Sequence, residues 1–412
     1  MSFSLIVLII VFLGIALRNA FRIPLKIWQI MGIGAAIVLF TGRISVIDAY
    51  LAVDWNIIFF LWGMFYIGQA LEESGILCNL ASGYFQKKCS YKMLVFIIVF
   101  GMGLFSAILM NDTLAITGTP LLIKVASQKR VSLLPLLLGL AFAITTGSVL
   151  SPIGNPQNLL IALHLSIANP FITFLKYLAV PTLINLALLF FYLLWIAKKD
   201  SSENAPQSTF LPIHWRLKVF SKIAIAMVLV MITYNIIASL MGIKPLPLIV
   251  IPLIPSFFLM IFAPKRKKIL RKLDWHTLVF FAAMFILMQS VFETSSIKSV
   301  LDSPNPFAHS ISGILSLSAI VSQLISNVPL VALYLPILKG FAASQNSYMA
   351  LAAGSTIAGN FLIFGAASNL IIIQNAEKRG GGGISFFEFA KYGIPLSIAN
   401  LAVYYLYLTY VV

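Results

Sequence analysis

Apolar stretches of roughly membrane-spanning length alternate along the chain with short polar ones. Taking about 20 apolar residues as one crossing, the first half predicts helices over 2–17, 27–42, 56–71 and 174–196, with an amphipathic piece over 76–92. An apolar segment over 93–110 meets the polar Asn111-Asp112-Thr113 and resumes as a shorter arm to 126. Between 132 and 165 the pattern is interrupted by Thr145-Thr146-Gly147-Ser148-Val149-Leu150-Ser151-Pro152-Ile153-Gly154-Asn155-Pro156-Gln157-Asn158. Proline removes a backbone donor and glycine tolerates non-helical angles, so this region reads as two half-helices joined by unwound backbone. Such backbone persists at membrane depth only where protein or a wet cavity satisfies its N–H and C=O groups.

The second half repeats the order, with helices over 219–241, 248–263, 277–293 and 386–412, a polar break at Ser326-Asn327-Val328-Pro329 inside 311–340, and a second broken helix over 345–375. A shift of 211 places Gly154 and Asn158 on Gly365 and Asn369. A shift of 220 matches Asp54, Trp55, Phe60, Met64, Phe65, Gln69 and Glu73 with Asp274, Trp275, Phe280, Met284, Phe285, Gln289 and Glu293. A shift of 216 matches Ser106, Asn111 and Pro120 with Ser322, Asn327 and Pro336, and one of 215 matches Lys176-Tyr177 with Lys391-Tyr392. The chain is read as an internal duplication: a first repeat over 1–197, a linker over 198–218 and a second repeat over 219–412. Paired interrupted helices in two halves are the strongest sequence pointer to a transporter's binding site.

Charge orients the copies. Arg18, Arg22 and Lys26 fill the loop after the first helix, against Arg43 alone in the next; in the second repeat Lys244 stands alone and Lys265, Arg266, Lys267, Lys268, Arg271 and Lys272 crowd the later loop. The positive-inside rule puts equivalent loops on opposite sides, so the repeat is expected to be inverted. Threading it leaves both termini outside and the linker 198–218 cytoplasmic. The segments 93–126 and 311–340 become re-entrant hairpins, entering from the cytoplasm and from outside. Their tips and the two helix breaks should meet near the midplane. The expected class is an all-α polytopic membrane protein of two inverted repeats, each with five transmembrane helices and one hairpin.

Composition agrees. Of 412 residues 60% are hydrophobic and 10% charged, and mean hydropathy is +0.99, which excludes a soluble globular domain and disorder. The net charge of +16 lies between apolar spans, as inner-membrane topology requires, so nucleic acid is not expected as a partner. Met1 to Leu17 has no basic region ahead of it and reads as a retained span. Cys78 and Cys89 sit beside lysines on the inferred cytoplasmic side and are expected as free thiols. No nucleotide motif, nucleophile–base pair or metal triad appears. The chain is therefore expected not to be an enzyme, to need no cofactor, and to draw on an ion gradient.

The two hairpin tips and two breaks, with Ser151-Pro152-Ile153-Gly154-Asn155-Pro156-Gln157-Asn158 the most specific part, resemble the ion transporter superfamily. That superfamily contains divalent anion/sodium symporters, citrate transporters, arsenite permeases and one family of sodium/proton antiporters. The resemblance spans essentially the whole chain. It implies an elevator in which a transport domain of hairpins and broken helices slides against a scaffold of the other helices within a homodimer. It also implies substrate and sodium sites at Ser106, Asn111, Asp112, Thr113, Ser151, Gly154, Asn155 and Asn158, with Ser322, Ser326, Asn327, Gly365, Ser368 and Asn369 opposite. Dicarboxylate symporters carry Ser-Asn-Thr at both tips. This chain has Asn-Asp-Thr at one and Ser-Asn-Val-Pro at the other, which is closer to the arsenite-permease and antiporter branches.

Half-helix N-termini suit anions and C-terminal carbonyls suit small cations. No arginine or lysine maps to a tip or break. A small inorganic or carboxylate anion would thus be held by amides, hydroxyls and a co-bound Na+, or moved with H+. Asp112 is the acid expected deep in the bilayer, where a carboxylate is costly unless paired or protonated. It reads either as the coupling site or as a cap of the second hairpin arm. Symport of an anion is the leading expectation, and sodium/proton antiport through Asp112 the alternative. Asp54 and Asp274 read as N-caps, Glu73 and Glu293 as solvated helix ends, and Gln69 and Gln289 as interhelix or functional polar groups. His164, His214, His276 and His309 have no ligand spacing, and Gly380 to Gly383 reads as a flexible link.

Overall fold

The computed structural model describes residues 3–17, 25–76, 90–165, 169–199, 215–292, 306–379 and 384–412, and the regular secondary structure among them is helical. Expectations on Arg18, Arg22, Cys78, Cys89, His214, Glu293 and Gly380 to Gly383, on most of 76–92 and on 200–214 fall outside the described residues.

The first half contains α1 (Phe3–Leu17), α2 (Ile27–Phe40), α3 (Val46–Ala52), α4 (Trp55–Ser74), α5 (Tyr91–Leu109), α6 (Asn111–Lys129), α7 (Leu134–Ser148), α8 (Pro156–His164) and α9 (Pro170–Lys199). The second contains α10 (Trp215–Leu240), α11 (Val250–Phe262), α12 (Arg266–Arg271), α13 (Trp275–Phe292), α14 (Ile311–Ile325), α15 (Asn327–Gly340), α16 (Gln345–Ile357), α17 (Ala367–Lys378) and α18 (Phe386–Tyr410). Among the described residues α5, α9, α10 and α13 are long and apolar enough to cross a membrane, and α3 with α4 makes a further pair bent by 54°.

Several sequence expectations need correction. The loop expected around Arg43 holds α3, too short for a span-length filter. Ser45 caps it by accepting from Asp48 N at 3.0 Å, and its Ile47, Tyr50 and Leu51 stay exposed. The basic loop 265–272 winds into α12, anchored by buried Ile269. Of the linker expected over 198–218, Lys198 and Lys199 belong to α9 and Trp215 to Lys218 to α10, and 200–214 lies outside the described residues. Asp54 and Asp274 do cap α4 and α13, accepting from Asn56 N at 2.9 Å and from Thr277 N at 3.1 Å. Glu73 is not a solvated end: its side chain is 8% exposed and accepts from Lys268 Nζ and Lys272 Nζ at 2.7 and 2.6 Å, tying α4 to α12. Gln69 bonds within its own helix, to Glu72 Oε2 at 2.9 Å, rather than across helices.

The helices pack as two sets. In one, α4 lies against α10 and α11, while α2 lies against α1 and α13. In the other, α5 and α6 flank α7, α14 flanks α16, and α9 packs on α18. Narrow seams join the sets, chiefly α4 on α6 and α1 on α14. Within the second set, backbone approach is set by glycine. A Cβ on Gly147 of α7 would stand 1.9 Å from Gly103 O of α5, so the helices touch main chain to main chain. A π-helical turn over Ile97–Met102 leads into that contact.

Gly147→Ala is therefore expected to force α5 and α7 apart and lower the melting temperature of the purified protein in detergent by several degrees. Gly32→Ala, whose Cβ would meet nothing within 4 Å, should leave it unchanged. Equal melting of the two variants would contradict this packing.

Candidate functional site

Each hairpin turns on one residue. After α5, Met110 takes φ 65° and ψ 147°; after α14, Ser326 takes φ 75° and ψ 160°. Neither is glycine, although these angles belong to a region that only glycine enters readily, at a cost of about 1–3 kcal/mol for other residues. The chain then re-enters a helix at once, so the N-termini of α6 and α15 start at Asn111 and Asn327, both 5% exposed.

The first break runs from Val149 to Asn155 and is buried around its turn. Asn158 closes it: Nδ2 donates to Ser148 O, Val149 O and Ser151 O at 3.1, 3.3 and 3.0 Å. Asn155 caps α8, its Oδ1 accepting from Asn158 N at 2.9 Å. Ser151 Oγ accepts from Ile153 N at 3.3 Å. Gly154 is obligatory, since a Cβ there would lie 2.2 Å from Ser148 O. Its own carbonyl accepts from Asn111 N at 3.0 Å, which fastens the first tip to the first break.

The second break is two 3-10 turns, Ala358–Asn360 and Ile363–Gly365. Asn369 Nδ2 donates to Gly359 O at 2.7 Å, the same ten-residue reach by which Asn158 holds Ser148 O. Gly365 sits where a Cβ would lie 2.8 Å from Ala358 O. Gln323 of α14 donates from Nε2 to that same carbonyl at 2.7 Å.

The breaks meet directly. Thr356 Oγ1 accepts from Asn155 Nδ2 at 3.1 Å and Gln157 Nε2 at 3.4 Å, and donates to Asn158 Oδ1 at 3.4 Å. Asn360 Nδ2 donates to Thr146 Oγ1 at 3.2 Å. The second tip reaches the same place, Asn327 Nδ2 being 3.5 Å from where a Cβ on Gly359 would stand. Of the site residues expected on the tips and breaks, these contacts bring together Asn111, Gly154, Asn155, Asn158, Asn327, Gly365 and Asn369. Ser106 faces inward but is spent on Gly103 O at 2.6 Å, within its own helix. Thr356, Gln157, Asn360, Thr146, Ser148 and Gln323 were not among the expected site residues. A signal existed for one, because the shift of 211 that pairs Gly154 with Gly365 also pairs Thr145 with Thr356.

Several polar atoms here are buried without a protein partner: Thr113 Oγ1, Thr145 Oγ1, Ser322 Oγ, Gln323 Oε1, Asn327 Oδ1, Asn360 Oδ1, Ser368 Oγ and Asn369 Oδ1. For Gln323 and Asn369 the amide orientation is set, since the NH2 group must face a carbonyl; the oxygen of each points away from its bond as a bare acceptor. Asp112 is 7% exposed, and its carboxylate has no hydrogen bond or ion pair to another described residue. The cap expected of it falls to its neighbour, for Asp112 N donates to Asn111 Oδ1 at 2.9 Å and no side chain bonds the N-terminus of α6 otherwise. Among the described residues, His276 stacks on Trp28, His309 lies on Phe341 and His164 lies near Asp54, so the histidines are dispersed.

Comparison with known proteins fits this arrangement. The family model described as Citrate transporter matches residues 1–87 and 84–348. A 46 kDa membrane protein of Mycobacterium leprae is 26% identical over 402 residues, covering 92% of this chain and 93% of its own. The silicon efflux transporter LSI3 of Oryza sativa subsp. japonica is 24% identical over 442 residues, covering 90% of each. The crystal structure of the Alcanivorax borkumensis YdaH transporter is 14% identical, with a TM-score of 0.56 over 85% of this chain and 84% of that one, and shares the fold. A multi-pass membrane protein whose relatives are transporters, and not an enzyme, the chain belongs to the citrate transporter family.

Proposed function

We propose that the protein is a secondary active transporter that moves a small oxyanion or carboxylate by an elevator motion coupled to a proton or sodium gradient. The observation that carries the reading is the convergence of four helix N-termini and four helix C-termini on one buried polar region containing Asp112. α6, α8, α15 and α17 begin there, while α5, α7, α14 and α16 end there. N-terminal N–H groups and dipoles favour an anion, and bare carbonyl oxygens favour a small cation. With no lysine or arginine among the candidate residues, the bound cation or proton supplies the compensating positive charge. Asp112, Asn327, Asn360 and Asn369 are assigned to that cation, and Ser322, Ser368, Thr145 and the α8 and α17 N-termini to the anion. The citrate of the family's name supports a carboxylate cargo.

Inverted repeats over 1–197 and 219–412 are supported by contacts that exchange under the swap of halves. α4 packs on α11 as α13 packs on α2, and α6 packs on α17 as α8 packs on α15. In this reading α1, α2, α4, α10, α11 and α13 are the scaffold, and α5–α9 with α14–α18 the transport domain. Both termini lie outside, the 198–218 segment is cytoplasmic, and the scaffold is the dimer surface.

The seam has separable contacts, as a sliding interface needs. Thr113 presses on Gly68 of α4, where a Cβ would approach within 2.8 Å. Asp54 and Glu72, at the two ends of α4, face His164 at 3.8 Å and Arg379 at 3.3 Å. Sodium/proton antiport remains the second reading, favoured by the isolation of Asp112.

In proteoliposomes Asp112→Asn is expected to fold as the parent does but to lose uptake driven by an imposed sodium or pH gradient. Retained gradient dependence would remove Asp112 from the coupling role. A sodium pulse that collapses a pH gradient with no anion present would select antiport over symport. Replacing Asp54 and His164 together by cysteines, with Cys78 and Cys89 changed to serine, should allow a crosslink that stops transport reversibly. Full transport by the crosslinked protein would rule out sliding at α4.

A further inference from the structure

Far from the transport site, the start of α10 and the turn from α11 into α12 enclose an open groove of about 620 Å3. Its walls divide by chemistry. Trp215, Ile261 and Phe262 are 71%, 58% and 58% exposed, and Phe262 continues into tilted ring contacts with Phe258 and, through it, Phe220. Arg216 and Arg266 stand over that apolar floor. Arg266 Nη1 donates to Ile261 O at 2.9 Å, which holds its guanidinium at the rim with most of its five donors to spare. Arg216 has no hydrogen bond or ion pair to another described residue. Glu73 of α4, the acid bonded to α12, has both oxygens taken by Lys268 and Lys272, and Lys267 and Arg271 add further positive charge on α12.

We propose that this groove binds the headgroup of an anionic phospholipid, its phosphate held by Arg216 and Arg266 and its acyl chains lying along Ile261, Phe262 and Trp215. Guanidinium pairs match phosphate geometry, and basic pockets between membrane helices at the interface suit such headgroups. Free phosphate would forgo the apolar floor, and a zwitterionic headgroup would bring its own cation against two arginines. Both are poorer occupants. The site lies where α10 meets α11, within the α4 packing set, so a bound lipid would brace that set rather than touch the cargo.

Native mass spectrometry of the full-length protein, released from mixed micelles, tests this with phosphatidylglycerol, phosphatidylcholine and inorganic phosphate as probes. Retained phosphatidylglycerol is expected to exceed phosphatidylcholine. Arg216→Gln should reduce it by about tenfold, the scale of losing a hydrogen bond to a charged group. Lys339→Gln, at the exposed end of α15, should not. Equal retention of phosphatidylcholine, retention unchanged in Arg216→Gln, or displacement by millimolar phosphate would each overturn the proposal. The thermal melt of Arg216→Gln without lipid, expected to match the parent, separates loss of the site from loss of the fold.

Discussion

Backbone groups left bare inside a bilayer find no water to replace their lost partners. Two interrupted helices in one protein expose many such groups, and two asparagine amides carry much of the burden. Asn158 gathers three carbonyls from the turn that ends α7, and Asn369 takes the carbonyl of Gly359 in the 3-10 turn that follows α16. An amide serves here where a charged donor would not, because it satisfies carbonyls without adding a charge that itself needs solvation. Glycine completes the device: at Gly154 and Gly365 the returning strand passes so near the preceding carbonyl that no Cβ fits. Everything the site does depends on these closures, since they aim the helix ends that follow.

That aiming has an electrostatic consequence. With helix starts and helix ends facing one region, partial positive and partial negative poles lie side by side, and the net field is small until a ligand chooses among them. An anion alone meets the N-termini but also the C-terminal carbonyls and Asp112. A cation alone meets the reverse. Under the proposed symport, the two bound together would cancel each other, so each would improve the other's affinity, which is reciprocal coupling in the thermodynamic sense. A fixed lysine at the site would bind the anion alone and remove that dependence.

The breaks, the tips and their pairing were legible in the sequence because glycine, proline and clustered small polar residues leave a strong mark inside apolar runs, and because the shifts of 211 and 216 repeat it. Asp112's burial followed from its position in the same pattern. What stayed hidden depended on contacts between distant segments. Thr356 looks like an ordinary helix residue, yet its hydroxyl is the meeting point of Asn155, Gln157 and Asn158. Glu73 resembles any acid at a helix end until α12 brings two lysines over it. That helix, and α3, are too short for hydrophobic length to reveal. Asn111 and Asp112 stand side by side, and only the turn at Met110 decides that the amide, not the acid, satisfies the backbone.

The two halves also differ in a way that bears on how a duplicated site can open to one side at a time. At the first tip the strain stored at Met110 is held by full burial of its side chain and by the bond from Asn111 N to Gly154 O, and the break beside it is buried throughout Ser151 to Asn155. At the second tip Ser326 carries similar strain but is only half-buried, Asn327 N has no counterpart bond to the second break among the described residues, and Phe361 and Leu362 in that break are half-buried too. The first pair is therefore sealed and the second loosely covered. With strain of about 1–3 kcal/mol at each tip, the bond from Asn111 N to Gly154 O is what distinguishes the first tip from the second among the described residues. Under the proposed elevator, alternating access then needs no large rearrangement inside the transport domain, only an exchange of which half holds its tip closed as the domain passes the seam at α4.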